Sequence, residues 1–204
     1  RRSESRSSTV TPSELAQQIP MTLIPARECL IGTPVDEEGR KYFDVDQVRV
    51  EFTRPFYMST FEITQSQYSR VMNAADESPG DRDSALPATC QWIDAIEFCN
   101  RLSKQQNRTP CYRRTDYGTS VEIIEGDGFR LPTEIEWEYA CRAGTTTPFH
   151  FGDTIANHQA NIKIDDDTPD SPHQLVNVGS YFSNRYGLFD MHGNAAEWCW
   201  EQAP

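Results

Sequence analysis

Two stretches hold the oxygen donors whose type and spacing could do chemistry. The first is Asp165-Asp166-Asp167 with Asp170, and Asn161 lies just upstream in the same Gly-, Asn-, Asp- and Pro-rich region. Loop carboxylates and amide oxygens are the hard ligands that calcium takes. The spacing departs from the EF-hand loop, which needs a central glycine and a closing glutamate. An acidic run of this kind also reads as an ordinary solvated surface, and on these residues alone that reading is favoured. The second stretch is Asp190-Met191-His192-Gly193-Asn194-Ala195-Ala196-Glu197. There two carboxylates flank a Gly-Asn turn whose backbone carbonyls could point at a common centre.

Other chemistries find less support. No Gly-x-Ser-x-Gly elbow is present, and His150, His158, His173 and His192 form no His-Glu-x-x-His pair. Cys29, Cys90, Cys99, Cys111, Cys141 and Cys199 contain no Cys-x-x-Cys pair. They are too few to demand a disulfide scaffold, so they read as buried free thiols. A neighbour such as Glu201 gives Cys199 no thiolate stabilisation. Trp92, Trp137, Trp198 and Trp200 read as core anchors rather than a ligand cage. The 19 Lys and Arg against 31 Asp and Glu leave a net charge of -12. That balance argues against nucleic acid as a partner, since a phosphate backbone is gripped by clustered cations. No apolar run approaches the ~18 residues needed to span a bilayer.

These candidates need elements to position them. Arg1 to about Ser13 is Ser- and Arg-rich and almost without apolar content, which predicts a disordered arm or linker over residues 1–20. With 204 residues, the rest suffices for one substantial domain. Met21-Thr22-Leu23-Ile24 reads as a strand, and Val48, Val50 and Phe52 alternate as in a half-buried one. Thr64 and Gln67 form a capping box with Ile63 and Tyr68 at the staple positions, which predicts a helix start. Trp92, Ala95, Ile96, Cys99 and Leu102 recur at helical spacing, with Asp94 in the first turn, so a helix is expected from Trp92 to about Ser103. Lys104 to Gly128 reads as a polar excursion, with a short strand at Val121-Glu122-Ile123-Ile124. Thr133 and Glu136 form a second capping box, and Gly144 is placed to stop that helix. From Thr145 onward the composition predicts loops held from outside by hydrogen bonds or ions.

Four motifs occur in one order: Phe56-Tyr57-Met58 with Phe61-Glu62-Ile63-Thr64-Gln65; Trp92-Ile93-Asp94-Ala95-Ile96-Glu97-Phe98-Cys99; Arg130-Leu131-Pro132-Thr133-Glu134-Ile135-Glu136-Trp137-Glu138-Tyr139-Ala140-Cys141-Arg142-Ala143-Gly144; and Gly187-Leu188-Phe189-Asp190 running on through Glu197 to Trp198. Together they cover roughly Met21 to Trp200. In this the chain resembles the formylglycine-generating enzyme, or sulfatase-modifying factor, family. The resemblance implies an α+β fold related to the C-type lectin domain, with little regular secondary structure and bound calcium. One calcium would lie on the residues matching Asp190, Gly193, Ala195 and Glu197, and another on Asn161, Ile162 and Asp170. Residues 21–204 would then be a sulfatase-modifying-factor-like domain, incomplete at its C-terminus, in a piece of a longer chain.

The family chemistry oxidises a substrate cysteine to formylglycine with oxygen, using copper and a cysteine pair. By the resemblance that pair would follow Trp200, so copper is expected only if the C-terminal cysteine region exists. Cys99 and Cys141 match positions that pair with downstream cysteines in some members. Ala196 stands where many members have Trp beside the active cleft. The chain alone is therefore expected to be inactive, as a portion of an oxidoreductase of this family. The alternative is a non-catalytic, calcium-stabilised lectin-like binding module, attached to a Ser/Thr kinase or another signalling protein as in bacterial relatives. In either case the expected partner is a sulfatase-type peptide or another protein ligand.

Overall fold

Strands in this chain are short, four residues each, as its scattered apolar residues dictate. The computed structural model describes residues 19–37, 40–41, 45–72, 84–115, 120–162 and 174–200. The arm expected over residues 1–20 lies outside these except for Ile19 and Pro20, and so do Asp165, Asp166, Asp167, Asp170 and His173. β1 (Met21–Ile24) pairs antiparallel with β4 (Phe56–Ser59), with Met21 opposite Ser59 and Ile24 opposite Phe56. Between them β2 (Glu28–Ile31) pairs antiparallel with β3 (Val48–Glu51). Val50 and Phe52 of the alternating set pack inward, whereas Val48 at the strand's start is 48% exposed.

Helix α1 (Gln65–Met72) starts where the capping box places it. Thr64 N donates to Gln67 Oε1 at 2.9 Å, and Gln67 N donates to Thr64 Oγ1 at 3.2 Å. Ile63 and Tyr68, the staple residues, both pack on the same core. Helix α2 (Trp92–Gln105) runs two residues past the expected end and buries Ile96, Phe98, Cys99 and Leu102 on one face. The polar excursion after it is more regular than its composition predicts. β5 (Tyr112–Thr115) and β6 (Ser120–Ile123) make an antiparallel hairpin. The template is Asn100 of α2, whose amide donates to Tyr112 O at 3.0 Å and accepts from Tyr112 N at 3.3 Å. Buried amide pairing of this kind sets a strand's first residue without any apolar periodicity.

Helix α3 (Glu134–Arg142) carries the complete Thr133–Glu136 capping box. Its exit comes one residue earlier than expected. Ala143 already takes the left-handed conformation at φ 46°, and Gly144 continues it at φ 84°. Beyond it the described chain forms turns and loops with one isolated bridge, Phe149 to Gly152.

Two cores sit on either side of these elements. One gathers Val71, Ile96, Phe98, Cys99, Leu102, Cys111, Tyr112 and Trp200. The other gathers Ile24, Ile31, Tyr139, Ala140, Cys141, Leu188 and Met191. Tyr139 is its centre, 1% exposed and stacked on Phe52 with 4.4 Å between ring centroids. Its hydroxyl donates to Pro25 O at 2.7 Å. Trp92, Trp137 and Trp200 anchor these cores as expected. Trp198 does not: it is 49% exposed, with its indole N–H donating to Cys90 O at 2.9 Å. Among the described residues no helix is long and apolar enough to cross a membrane. The architecture is α+β with little regular structure, as the sequence implies.

Candidate functional site

The loop from Asp190 to Glu197 is placed by hydrogen bonds to segments far away in sequence. Buried Asn184 begins the work: its amide donates to the carbonyls of Ala140 and Cys141 at the end of α3, at 2.7 and 3.2 Å. Its side-chain oxygen accepts from Tyr186 N and Leu188 N. Phe189 N then donates to Thr60 O at 3.1 Å, and the Phe189 ring stacks on Phe61. The chain thus enters the loop already docked against the segment that leaves β4.

Asp190, 7% exposed, has the left-handed φ of 55°. One carboxylate oxygen accepts from Gly179 N at 2.5 Å. The other, Oδ1, is buried and has no hydrogen-bond partner. Burial raises the Asp190 pKa, opposed by the Gly179 N–H. A buried acceptor without a donor costs about 1–3 kcal/mol, so Asp190 Oδ1 marks a place where a positive partner would be favourable.

Gly193 has φ 86°, and a Cβ there would sit 2.4 Å from Asn161 O and 2.5 Å from Ile162 Cγ2. Only glycine fits this close approach. Asn161 and Ile162, expected to belong to a second site, therefore form the back wall of the first. Asn194 N donates to Asn161 O at 2.9 Å, and Asn161 Nδ2 donates to Asn194 Oδ1 at 3.1 Å. Asp170, expected beside them, lies outside the described residues.

Asn194 is a hub that residue type alone did not announce. It is 4% exposed with φ 58°, and its amide nitrogen donates to Glu62 Oε2 at 2.7 Å. Val176 N donates to its side-chain oxygen at 3.0 Å. Glu62, also missed from sequence, accepts Ala195 N through Oε1 at 2.8 Å. Burial pushes its carboxyl up to about 7 against these two bonds, and the charges of Glu197 and Asp190 push in the same direction as burial. The signal that could have found both is the polar pair itself, Glu in the first motif and Asn in the last, each set among apolar neighbours.

Asp190, Gly193, Ala195 and Glu197 line one open cleft of about 410 Å³, together with Trp137, Met191, Asn194, Ala196 and Cys199. Glu197 Oε2 accepts from the Trp137 indole N–H. The ion pairs found among the described residues lie elsewhere and include none of Glu62, Asp190 or Glu197. No group of three or more His, Cys, Asp or Glu side chains among the described residues is arranged to hold a metal. A cation on this loop would draw instead on two carboxylates and backbone carbonyls, a donor set that suits calcium and is foreign to softer metals.

Cys29, Cys90, Cys99, Cys111 and Cys141 form no disulfide. Cys99, Cys111 and Cys141 are buried as expected, while Cys29, Cys90 and Cys199 are partly exposed. Burial pushes the Cys99 and Cys141 thiols up to about 12, which disfavours the thiolate. Cys199 is the one cysteine on the cleft wall. Copper(I) is held by thiolates, and burial keeps Cys99 and Cys141 as thiols.

Comparison with known proteins gives the family. The chaperone protein LppX of Paenibacillus barcinonensis is 34% identical over 175 residues, covering 72% of this chain and 62% of its own. The serine/threonine-protein kinase pkn1 of Chlamydia caviae is 31% identical over 172 residues, covering 79% of this chain and 25% of its own. The formylglycine-generating enzyme of Bos taurus is 24% identical over 222 residues, covering 92% of this chain and 58% of its own. The chain thus spans less than two thirds of the length of each. Among solved structures, Treponema denticola variable protein 1 superposes with a TM-score of 0.70 and 27% identity, covering 88% of this chain and 72% of its own. The family profile of the Sulfatase-modifying factor enzyme 1-like domain matches residues 7–203. On that span the chain belongs to the sulfatase-modifying factor enzyme 1-like domain family.

Proposed function

We propose that this chain is a calcium-braced binding module that holds a protein segment in the cleft beside Trp137, and that its own residues do not oxidise cysteine. The observation that carries the reading is the make-up of the cleft wall, where Cys199 is the single cysteine. Oxidation of a substrate cysteine on copper(I) draws on a pair of thiolates, and the other described thiols are not on this wall. What the wall offers instead is contact. Trp137, Met191 and Ala196 supply apolar surface, and the loop backbone and Glu197 supply polar groups, a mixture that grips side chains and orients them. A sulfatase-type peptide or another protein ligand fits that chemistry.

Calcium would be held by the carboxylates of Asp190 and Glu197 and the backbone carbonyls of Gly193 and Ala195. A second ion would draw on Asn161, Ile162 and Asp170. The ion supplies positive charge where Asp190 Oδ1 lacks a donor and where the charges of Asp190 and Glu197 bear on Glu62. The match to a quarter of the length of the Chlamydia caviae kinase supports a module attached to a larger signalling protein. The enzymatic reading, a portion of an oxidoreductase acting on cysteine, is favoured by the Bos taurus formylglycine-generating enzyme among the relatives.

Two measurements separate these. The 204-residue chain is incubated with a cysteine-containing sulfatase peptide, oxygen, copper(I) and calcium, and the peptide is weighed by mass spectrometry. No conversion of the thiol to the aldehyde is expected, and aerobic turnover would overturn the non-catalytic reading. The melting temperature is then compared in excess calcium and in chelator. Calcium at ~100 times its dissociation constant should add ~2.7 kcal/mol, so an unchanged melting temperature sinks the calcium assignment.

A further inference from the structure

We propose that Glu62 is the positioning residue of the Asp190–Glu197 loop: it sets the loop's affinity for calcium without touching the ion. The inference rests on the calcium reading above and goes beyond it to a residue 132 or more positions away in sequence.

Glu62 is itself held before it holds anything. It lies between β4 and α1, 7% exposed. On one side Thr60 N donates to Pro20 O, and Thr60 O accepts Phe189 N. On the other, Ile63 O accepts Ala88 N at 2.8 Å. Phe61 stacks on Phe189 at 4.7 Å between centroids, with Gly179 against its edge. The carboxylate therefore arrives at the loop from a fixed backbone, with little side-chain freedom left to lose.

Its two oxygens then meet two donors, Ala195 N–H and the Asn194 amide. A group that only accepts is required, because each partner donates. Peptide planarity turns these contacts into directions. Asn194 N–H points at Asn161 O, so the Gly193 carbonyl in the same peptide plane points away from that wall. Ala195 N–H points at Glu62, so the peptide plane between Asn194 and Ala195 is fixed as well. Asn194 sits in the left-handed region, which a non-glycine residue holds only when its surroundings impose it. Glu62 supplies part of that imposition, and the carbonyls of Gly193 and Ala195 flank the turn it fixes. Both Glu62 oxygens are already taken by these two donors, which places Glu62 behind the turn rather than on the ion.

The test is calcium titration by calorimetry on the whole chain, with Glu62→Gln, Glu62→Asp and, as a control for lost stability alone, Thr133→Ala. Glu62→Gln keeps the reach but presents a donor to one of the two donors, and Glu62→Asp keeps the charge but loses the reach. Residues that orient metal ligands typically account for about 10- to 100-fold in affinity. Both Glu62 variants are expected to bind calcium at least ~10-fold more weakly, while Thr133→Ala melts lower in chelator yet binds as the wild type does. Wild-type affinity in Glu62→Asp would show that only charge matters, and wild-type affinity in both would show no role at all. Either overturns the proposal and leaves the calcium assignment standing. A wild-type chain that binds no calcium overturns both. Circular dichroism checks each fold, and if Glu62→Asp does not fold, the near-isosteric Glu62→Gln decides.

Discussion

His150 shows what a single side chain can cost the fold. Both of its ring nitrogens are buried without a hydrogen-bond partner. Its ring stacks on His192 with 4.9 Å between centroids and tilts against Phe151 at 3.8 Å. The backbone N–H of His150 donates to His192 Nε2 at 3.2 Å, so only the ring of His150 lacks partners. Burial holds its pKa below the ordinary histidine value of 6.5. A phenylalanine fills the same shape with nothing to satisfy, so His150→Phe should stabilise the protein by about 1–3 kcal/mol near pH 7.5. The pH dependence has a definite sign. Because the folded pKa is depressed, the unfolded chain takes up the proton first, and the stability present above pH 6.5 is lost as pH falls below it. Urea unfolding at pH 7.5 and pH 5 should show a smaller acid loss in the variant than in the wild type. A less stable variant at pH 7.5, or an equal acid loss, would contradict this account.

At the level of elements, legibility followed the range of the interactions that form them. The starts of α1 and α3 were readable because a capping box is complete within four residues, and both boxes are present. β1 was readable from its run of strand-forming residues, and α2 from its apolar spacing with Asp94 in the first turn. The β5–β6 hairpin was half missed, because Tyr112-Arg113-Arg114-Thr115 has no alternation to see. What fixes it is Asn100 on α2 and the Tyr112 hydroxyl, which accepts Leu131 N–H at 2.8 Å. Trp198 was misjudged for a related reason. Its indole satisfies Cys90 O from the protein's surface, and residue type cannot distinguish that from a core anchor. The site divides the same way. Asp190 and Glu197 advertise themselves as paired carboxylates in one loop, whereas Glu62 and Asn184 act on partners 132 and 44 positions away, and no local pattern encodes such a distance.

The described chain has two cores, and one of the threads that join them runs from Met191 to Trp200. Met191 lies in the core around Tyr139, and Trp200 lies in the core around α2. The loop that carries the candidate calcium ligands is the chain between them. It is tied at both ends: Cys141 Sγ donates to Met191 O at 3.5 Å, and Trp200 N donates to Pro132 O at 2.7 Å, next to the start of α3. Trp92 Nε1 adds a bond to Cys199 O at 3.2 Å. One core cannot loosen without pulling on this thread, so the two should unfold together. The cysteines report on it without any mutation, since Cys99 and Cys111 sit in one core and Cys141 in the other. In native protein at pH 8, iodoacetamide should modify the partly exposed Cys29, Cys90 and Cys199 and spare the three buried thiols. With pulses of iodoacetamide along a urea series, Cys99 and Cys141 should become reactive at one common midpoint. Calcium should move that midpoint upward for both, because an ion on the thread stabilises whatever the thread joins. Separate midpoints, or a calcium shift confined to Cys141, would mean that the cores open independently and that the loop only spans the gap between them.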